Sequence, residues 1–136
     1  MSIGDIHILP TSSTPEYRLY HEGIIKIQGR GLIETKVEIS EQIMKWIDNY
    51  LQNPAEITYV IISFEYLNSS STAILVSIIR KIAKVMLQMK KFVIKWYYEE
   101  DDDDILERGE YIASAFNIPI EFIPVNDIST IPGHSF

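Results

Sequence analysis

Five small polar residues, Asn68, Ser69, Ser70, Ser71 and Thr72, stand in a row near the middle of the chain, and four of them carry a hydroxyl. A hydroxyl at such a place can act as a nucleophile, cap a helix or accept a phosphoryl group. Nucleophilic catalysis needs a base within hydrogen-bond reach. The three histidines, His7, His21 and His134, fall in the N-terminal segments and the tail, and no G-x-S-x-G elbow occurs. A hydrolase is therefore not expected. Capping needs only one hydroxyl, from Ser69 or Ser70, to accept hydrogen bonds from the orphan N–H groups of a helix start. The alternative is a loop that is modified or binds a ligand, and the residues alone leave both open.

A second chemistry-bearing stretch begins at Glu99. Glu99, Glu100, Asp101, Asp102, Asp103 and Asp104 are consecutive, and Glu107 and Glu110 follow, with Arg108 as the one base among them. The net charge of −7 is carried by this segment, and the rest of the chain is neutral. Three roles compete for the run. Acids in the first turn of a helix complement its dipole at about 0.3–1 kcal/mol each, but six neighbouring carboxylates repel one another beyond that need. Hard divalent cations take carboxylate oxygens, yet the Gly-bearing spacing of an EF-hand loop is missing. The third role is a recognition surface for a basic partner, where charge governs on-rate and orientation.

The elements that must position these two stretches are legible from period and punctuation. Ile57 to Phe64 is an apolar, β-branched run suited to a strand buried on both faces of a parallel sheet. It ends at Asn68-Ser69, and a helix is expected from about Ser71 to Met89, with Leu75, Ile78, Ile79, Ile82, Met86 and Met89 as its buried stripe. Its lysines read as a solvated face. Phe92–Tyr98 is the next strand and runs directly into Glu99. If the two strands are parallel neighbours, the serine loop and the acidic run share one rim of the sheet, where ligands and partners of open α/β folds are met. A third helix follows from Ile105 to Phe116, and Ile118–Ile123 is a last strand, at an edge because of Pro119.

Upstream, Asp5–Leu9 forms a short strand, and Tyr17–Tyr20 and Ile24–Ile27 flank His21-Glu22-Gly23 as a β-hairpin. Gly29 and Gly31 allow a positive φ or a close backbone approach. Ser40 is expected to cap the first helix, with Ile39 and Met44 as a hydrophobic staple. The stripe Ile43, Trp46, Ile47, Tyr50 and Leu51 faces the core. The order β-β-α-β-α-β-α-β, with an extra N-terminal strand, predicts an α/β fold: a mixed central sheet, an N-terminal hairpin plus parallel strands, packed with about three helices.

Composition bounds the rest. A chain of 136 residues with 46% apolar residues makes one domain, 1–136, with a tail expected to be mobile from about Pro124. The absence of cysteine excludes disulfides and thiolate metal sites and fits a reducing, cytoplasmic setting. No stretch approaches the roughly 20 apolar residues of a membrane span, and the N-terminus does not read as a signal peptide. Without a basic face, nucleic acid is not an expected partner.

Two motifs carry a resemblance. Glu65-Tyr66-Leu67-Asn68-Ser69-Ser70-Ser71 resembles the E-Y-F/L-N-T/S-S-S motif of the SiaC-like regulatory phosphoproteins. Trp96 to Glu110, WYYEEDDDDILERGE, resembles that family's second signature, W-Y-Y-E-E-D-D-x-D-M-L-E-x-G-E. Thr14-Pro15-Glu16 and Gly29-Arg30 match more loosely, and Gly31-Leu32-Ile33-Glu34-Thr35 stands where the family has an S-Y-P-E-N run.

The resemblance implies a STAS-like fold of the anti-sigma-factor-antagonist type and no enzymatic activity or cofactor. It implies phosphorylation of one hydroxyl just after an Asn or Asp, here Ser69 after Asn68. The kinase would be a Ser/Thr kinase of histidine-kinase-like ATPase type, and a phosphatase would reverse it. The unphosphorylated form would bind a diguanylate cyclase and raise its activity. Ser70, Ser71 and Thr72 would shape the acceptor loop, and Tyr66, Leu67 and Glu99–Asp104 would form the docking rim. A phosphate adds about −1.5 to −2 of charge, which a helix start accommodates and an acid-bordered docking face does not. The alternatives are an anti-sigma-factor antagonist acting on transcription, a metal-dependent enzyme using Asp101–Asp104, and an unmodified scaffold.

Overall fold

The computed structural model describes residues 4–130. Among them, six strands form one mixed sheet in sequence order: β1 (Ile6–Ile8), β2 (Glu16–Tyr20), β3 (Ile24–Gly31), β4 (Ile57–Leu67), β5 (Lys91–Glu99) and β6 (Ile120–Val125). β1, β2 and β3 pair antiparallel, and β3 to β6 pair parallel. The parallel strands are joined through α1 (Val37–Tyr50), α2 (Ser69–Ile82) and α3 (Asp103–Ala115). All three crossovers step across the sheet in one direction. Right-handed connections then place the three helices on one face. This is the α/β architecture expected from the order of elements, with β6 at the edge.

The core lies between that face and the helices. Val60, Ile62 and Phe64 of β4 alternate inward and pack with Ile25, Ile27, Ile94 and Trp96 of the flanking strands. Ile43, Trp46, Ile47 and Tyr50 of α1 and Leu75, Ile78, Ile79 and Ile82 of α2 close over them. Trp46 and Tyr50 stack with ring centroids 5.2 Å apart. The Tyr50 hydroxyl is satisfied by Thr58 Oγ1 at 2.7 Å, so the aromatic stripe is core.

Four expectations are corrected. The α-helical part of α2 ends at Ile82, and Ala83–Gln88 continues as a 3₁₀ helix. The three-residue period turns Val85 inward after Ile79 and Ile82, and leaves Met86 and Met89 outside, the latter 93% exposed. Ser40 does not cap α1. That helix begins at Val37, and the Lys36 carbonyl accepts from the N–H groups of Ile39 and Ser40.

Leu67 does not face outward. The β3–β4 register slips between Gly29 and Arg30, so that Glu65 is an extra residue on β4. One extra residue inverts the alternation beyond it. Tyr66 turns out to solvent and Leu67 turns into the core at 4% exposure. Finally, the tail is structured past Pro124: β6 runs to Val125, and a 3₁₀ turn at Ile128–Thr130 buries Ile128. The remainder of the tail, His134 included, lies outside the described residues.

Candidate functional site

β4 hands over to α2 at Asn68, and Asn68 is the cap. Its backbone is extended, with φ −85° and ψ 176°, and its Oδ1 accepts from the Ser71 N–H at 2.8 Å. The same side chain donates from Nδ2 to the Leu32 carbonyl at 2.5 Å, while the Asn68 N–H donates to the Gly31 carbonyl at 2.9 Å. Neither Ser69 nor Ser70 fills the capping role that the serine run suggested. Gly31 permits the close approach: a Cβ there would sit 2.8 Å from Ser71 Cβ and 3.0 Å from Leu67 Cδ1.

The four hydroxyls then separate by their partners. Ser70 donates to Asn68 Oδ1 at 3.2 Å. Ser71 is buried and donates to the Ile33 carbonyl at 3.2 Å. Thr72 donates to the Asn68 carbonyl at 2.7 Å and accepts from Arg108 Nη1 at 3.2 Å. Ser69 is exposed, and its side chain makes no hydrogen bond among the described residues. Among the described residues, it is the hydroxyl of the run that is exposed and has no hydrogen-bond partner.

The acidic run starts on the same rim, because β4 and β5 are parallel neighbours in register from Ile57↔Lys91 to Ser63↔Tyr97. Its members nevertheless divide. Glu99 accepts from the Ile128 N–H of the final 3₁₀ turn at 3.1 Å. Glu100 faces the Asn126 amide within 3.3 Å. Asp102 caps α3, accepting from the Ile105 N–H at 3.1 Å. Asp101 and Asp103 are exposed. Of the run, Asp104 lines an open groove of about 470 Å³ together with Glu107, Arg108 and Tyr111 of α3 and with Ser69 and Thr72 of α2.

Glu107, Arg108 and Tyr111 were not picked out from the sequence as site residues. The signal was present: positions 104, 107, 108 and 111 fall at helical spacing on one face of α3. Two contacts link α3 and its C-terminal cap to α2. The Arg108 guanidinium reaches Thr72 at one end, and the Arg80 guanidinium lies 4.9 Å from the centroid of the Phe116 ring at the other. Trp96 Nε1 donates to the Ile105 carbonyl at 3.1 Å and fixes the start of α3 on β5.

Chemically, the groove offers a solvent-facing hydroxyl beside carboxylates and one guanidinium. Among the described residues, no three His, Cys, Asp or Glu side chains converge as a metal-ion site, and no helix is long and apolar enough to cross a membrane.

Comparison with known proteins agrees with the fold. The model of the SiaC family of regulatory phosphoproteins matches residues 8–125. An uncharacterized protein of Pseudomonas aeruginosa strain UCBPP-PA14 is 24% identical over 121 residues, covering 86% of this chain and 94% of that one. The fold is similar to the crystal structure of apo-SiaC from Pseudomonas aeruginosa, with a TM-score of 0.74, 24% identity, and 90% and 98% of the two chains covered. It is equally similar, at a TM-score of 0.75 and 22% identity over 87% and 98% of the chains, to the crystal structure of the diguanylate cyclase SiaD in complex with its activator SiaC.

Proposed function

The chain belongs to the SiaC family of regulatory phosphoproteins, and we propose that within it the protein is a cytoplasmic phospho-switch whose acceptor is Ser69. A kinase of the histidine-kinase-like ATPase type transfers the γ-phosphoryl group of ATP to Ser69 Oγ. The Oγ–P bond forms, the bond to the β-phosphate breaks, ADP leaves, and the hydroxyl proton passes to a base of the kinase. A phosphatase hydrolyses the phosphoester. The unphosphorylated form binds and activates a signalling enzyme, with a diguanylate cyclase as the favoured target, since the SiaC of Pseudomonas aeruginosa is the activator of such an enzyme.

One observation carries the choice of acceptor. Ser70, Ser71 and Thr72 each spend their hydroxyl on the backbone or side-chain framework of the loop, and Ser69 does not. Phosphorylating any of the other three would first break a bond that shapes the helix start. Asp104 beside Ser69 in the groove, with exposed Tyr66, Asp101 and Asp103 on the same rim of the sheet, supplies the docking surface. A phosphate there adds about −1.5 to −2 of charge to a surface that a partner must desolvate.

Incubation with the cognate kinase and ATP, followed by phosphopeptide mapping, places the label on Ser69, and Ser69→Ala abolishes it. Label that persists in Ser69→Ala removes the assignment. In a binding assay with the target, Ser69→Ala matches the parent and Ser69→Asp binds at least about tenfold more weakly. Equal affinities for all three proteins would remove the switch.

A further inference from the structure

Among the described residues, Arg108 is the only cation lining the Ser69 groove, and no carboxylate pairs with it. Asp104 lies one helical turn before it on α3 and Glu107 lies next to it, yet among the described residues Arg108 makes no ion pair with either. Its guanidinium instead donates to Thr72 Oγ1 at 3.2 Å, across the gap between α3 and α2. Thr72 is three residues beyond Ser69, and side chains three apart on a helix are neighbours, with Cβ atoms about 5–6 Å apart. A phosphate on Ser69 Oγ extends into the same groove that Arg108 lines.

A guanidinium presents five donors in a planar fork that matches phosphate oxygens, and the charge-assisted bonds it forms are stronger than its bond to a neutral hydroxyl. We propose that Arg108 is the internal counter-ion of phosphorylated Ser69, leaving the Thr72 hydroxyl to clamp the phosphate against α3. This deepens the switch and rests on Ser69 being the acceptor. Its consequence is specific to this groove. The phosphate ties α2 to α3 through a charged bridge, and it engages the guanidinium that stands beside Asp104 and Glu107 in the groove. The phosphorylated face is thus both more acidic and locked in shape.

The groups facing the phosphate are Asp104, Glu107, Arg108 and Tyr111 of α3 and Thr72 of α2. The two carboxylates favour the monoanion of the phosphate and the guanidinium favours the dianion, so removing Arg108 isolates its share.

The test installs phosphoserine at position 69 of the full chain during translation, so that no kinase is needed. The phosphate is titrated by phosphorus NMR in the parent, in Arg108→Gln and in Arg108→Lys. The second phosphate pKa is expected to rise by about half a unit or more in Arg108→Gln, with part of that rise recovered in Arg108→Lys. In the parent chain the Arg108 Nε–Hε resonance is expected to move on phosphorylation, a readout that needs no variant. Equal phosphate pKa values in the parent and Arg108→Gln, or an unmoved Arg108 resonance, overturn the clamp. Either result leaves the acceptor assignment intact, because that assignment is decided by phosphopeptide mapping alone.

Discussion

At the scale of single residues, the cap of α2 is one amide and not any of the serines that follow it. Asn68 accepts from Ser71 N–H with its oxygen and donates to the Leu32 carbonyl with its nitrogen, so it closes α2 and anchors the loop after β3 together. Asn68→Ala is expected to lower the unfolding free energy by about 1–2 kcal/mol through the lost cap. Asn68→Asp keeps the capping oxygen but sets a second acceptor against the Leu32 carbonyl, at a cost of about 1–3 kcal/mol. Ser70→Ala stays within about 0.5 kcal/mol of the parent. Equilibrium unfolding in urea measures all three, and a Ser70→Ala cost equal to that of Asn68→Ala would contradict the cap. The run of hydroxyls was legible as a helix start. Which of them was free was not, because that depended on Leu32, Ile33 and Arg108, all distant in the chain.

At the scale of elements, the sequence was most informative where a period persists. The apolar run of β4 and the stripes of α1 and α3 declared themselves, and parallel pairing of β4 with β5 followed from strand–helix alternation. What the pattern did not disclose were changes of period inside an element. A single inserted residue at Glu65 swapped the faces of Tyr66 and Leu67, and a shift to 3₁₀ winding after Ile82 swapped Val85 for Met86. Neither leaves a compositional mark.

The approach of α3 to the sheet was equally silent in the sequence, although one glycine sets it. A Cβ at Gly109 would lie 2.7 Å from both Trp96 Cε2 and Phe122 Cε1. Trp96 is fully buried and held by its bond to Ile105, so it has no room to yield. Gly109→Ala gains about 1 kcal/mol of helix propensity against an overpacking cost of about 1–3 kcal/mol. Thermal unfolding should therefore show a lower Tm for Gly109→Ala, and a raised Tm would mean that α3 does not rest on Trp96 in this way.

At the scale of the molecule, charge is distributed unevenly. The acids near α3 are mostly exposed, whereas Asp5 and Glu16 near the N-terminal strands are hydrogen-bonded within the fold. Glu16 on β2 is pushed upward by burial, but hydrogen bonds from Gln28, His7 and Arg18 together outweigh that and hold its carboxyl below the usual range. Asp5 is lowered by the N–H and the ring of His21, with burial opposing. A carboxyl with a folded pKa below its unfolded value binds fewer protons in the folded state. Its stabilisation is complete above the unfolded pKa, about 4, and is lost as pH falls through the folded value. The urea midpoint of the parent should hold from neutral pH down to about 5 and then fall toward pH 3. Glu16→Gln should begin lower at neutral pH and fall less on acidification, because the group responsible for part of the slope is gone. A variant that tracks the parent in parallel across the whole range would show that the Glu16 cluster contributes nothing to the acid limb.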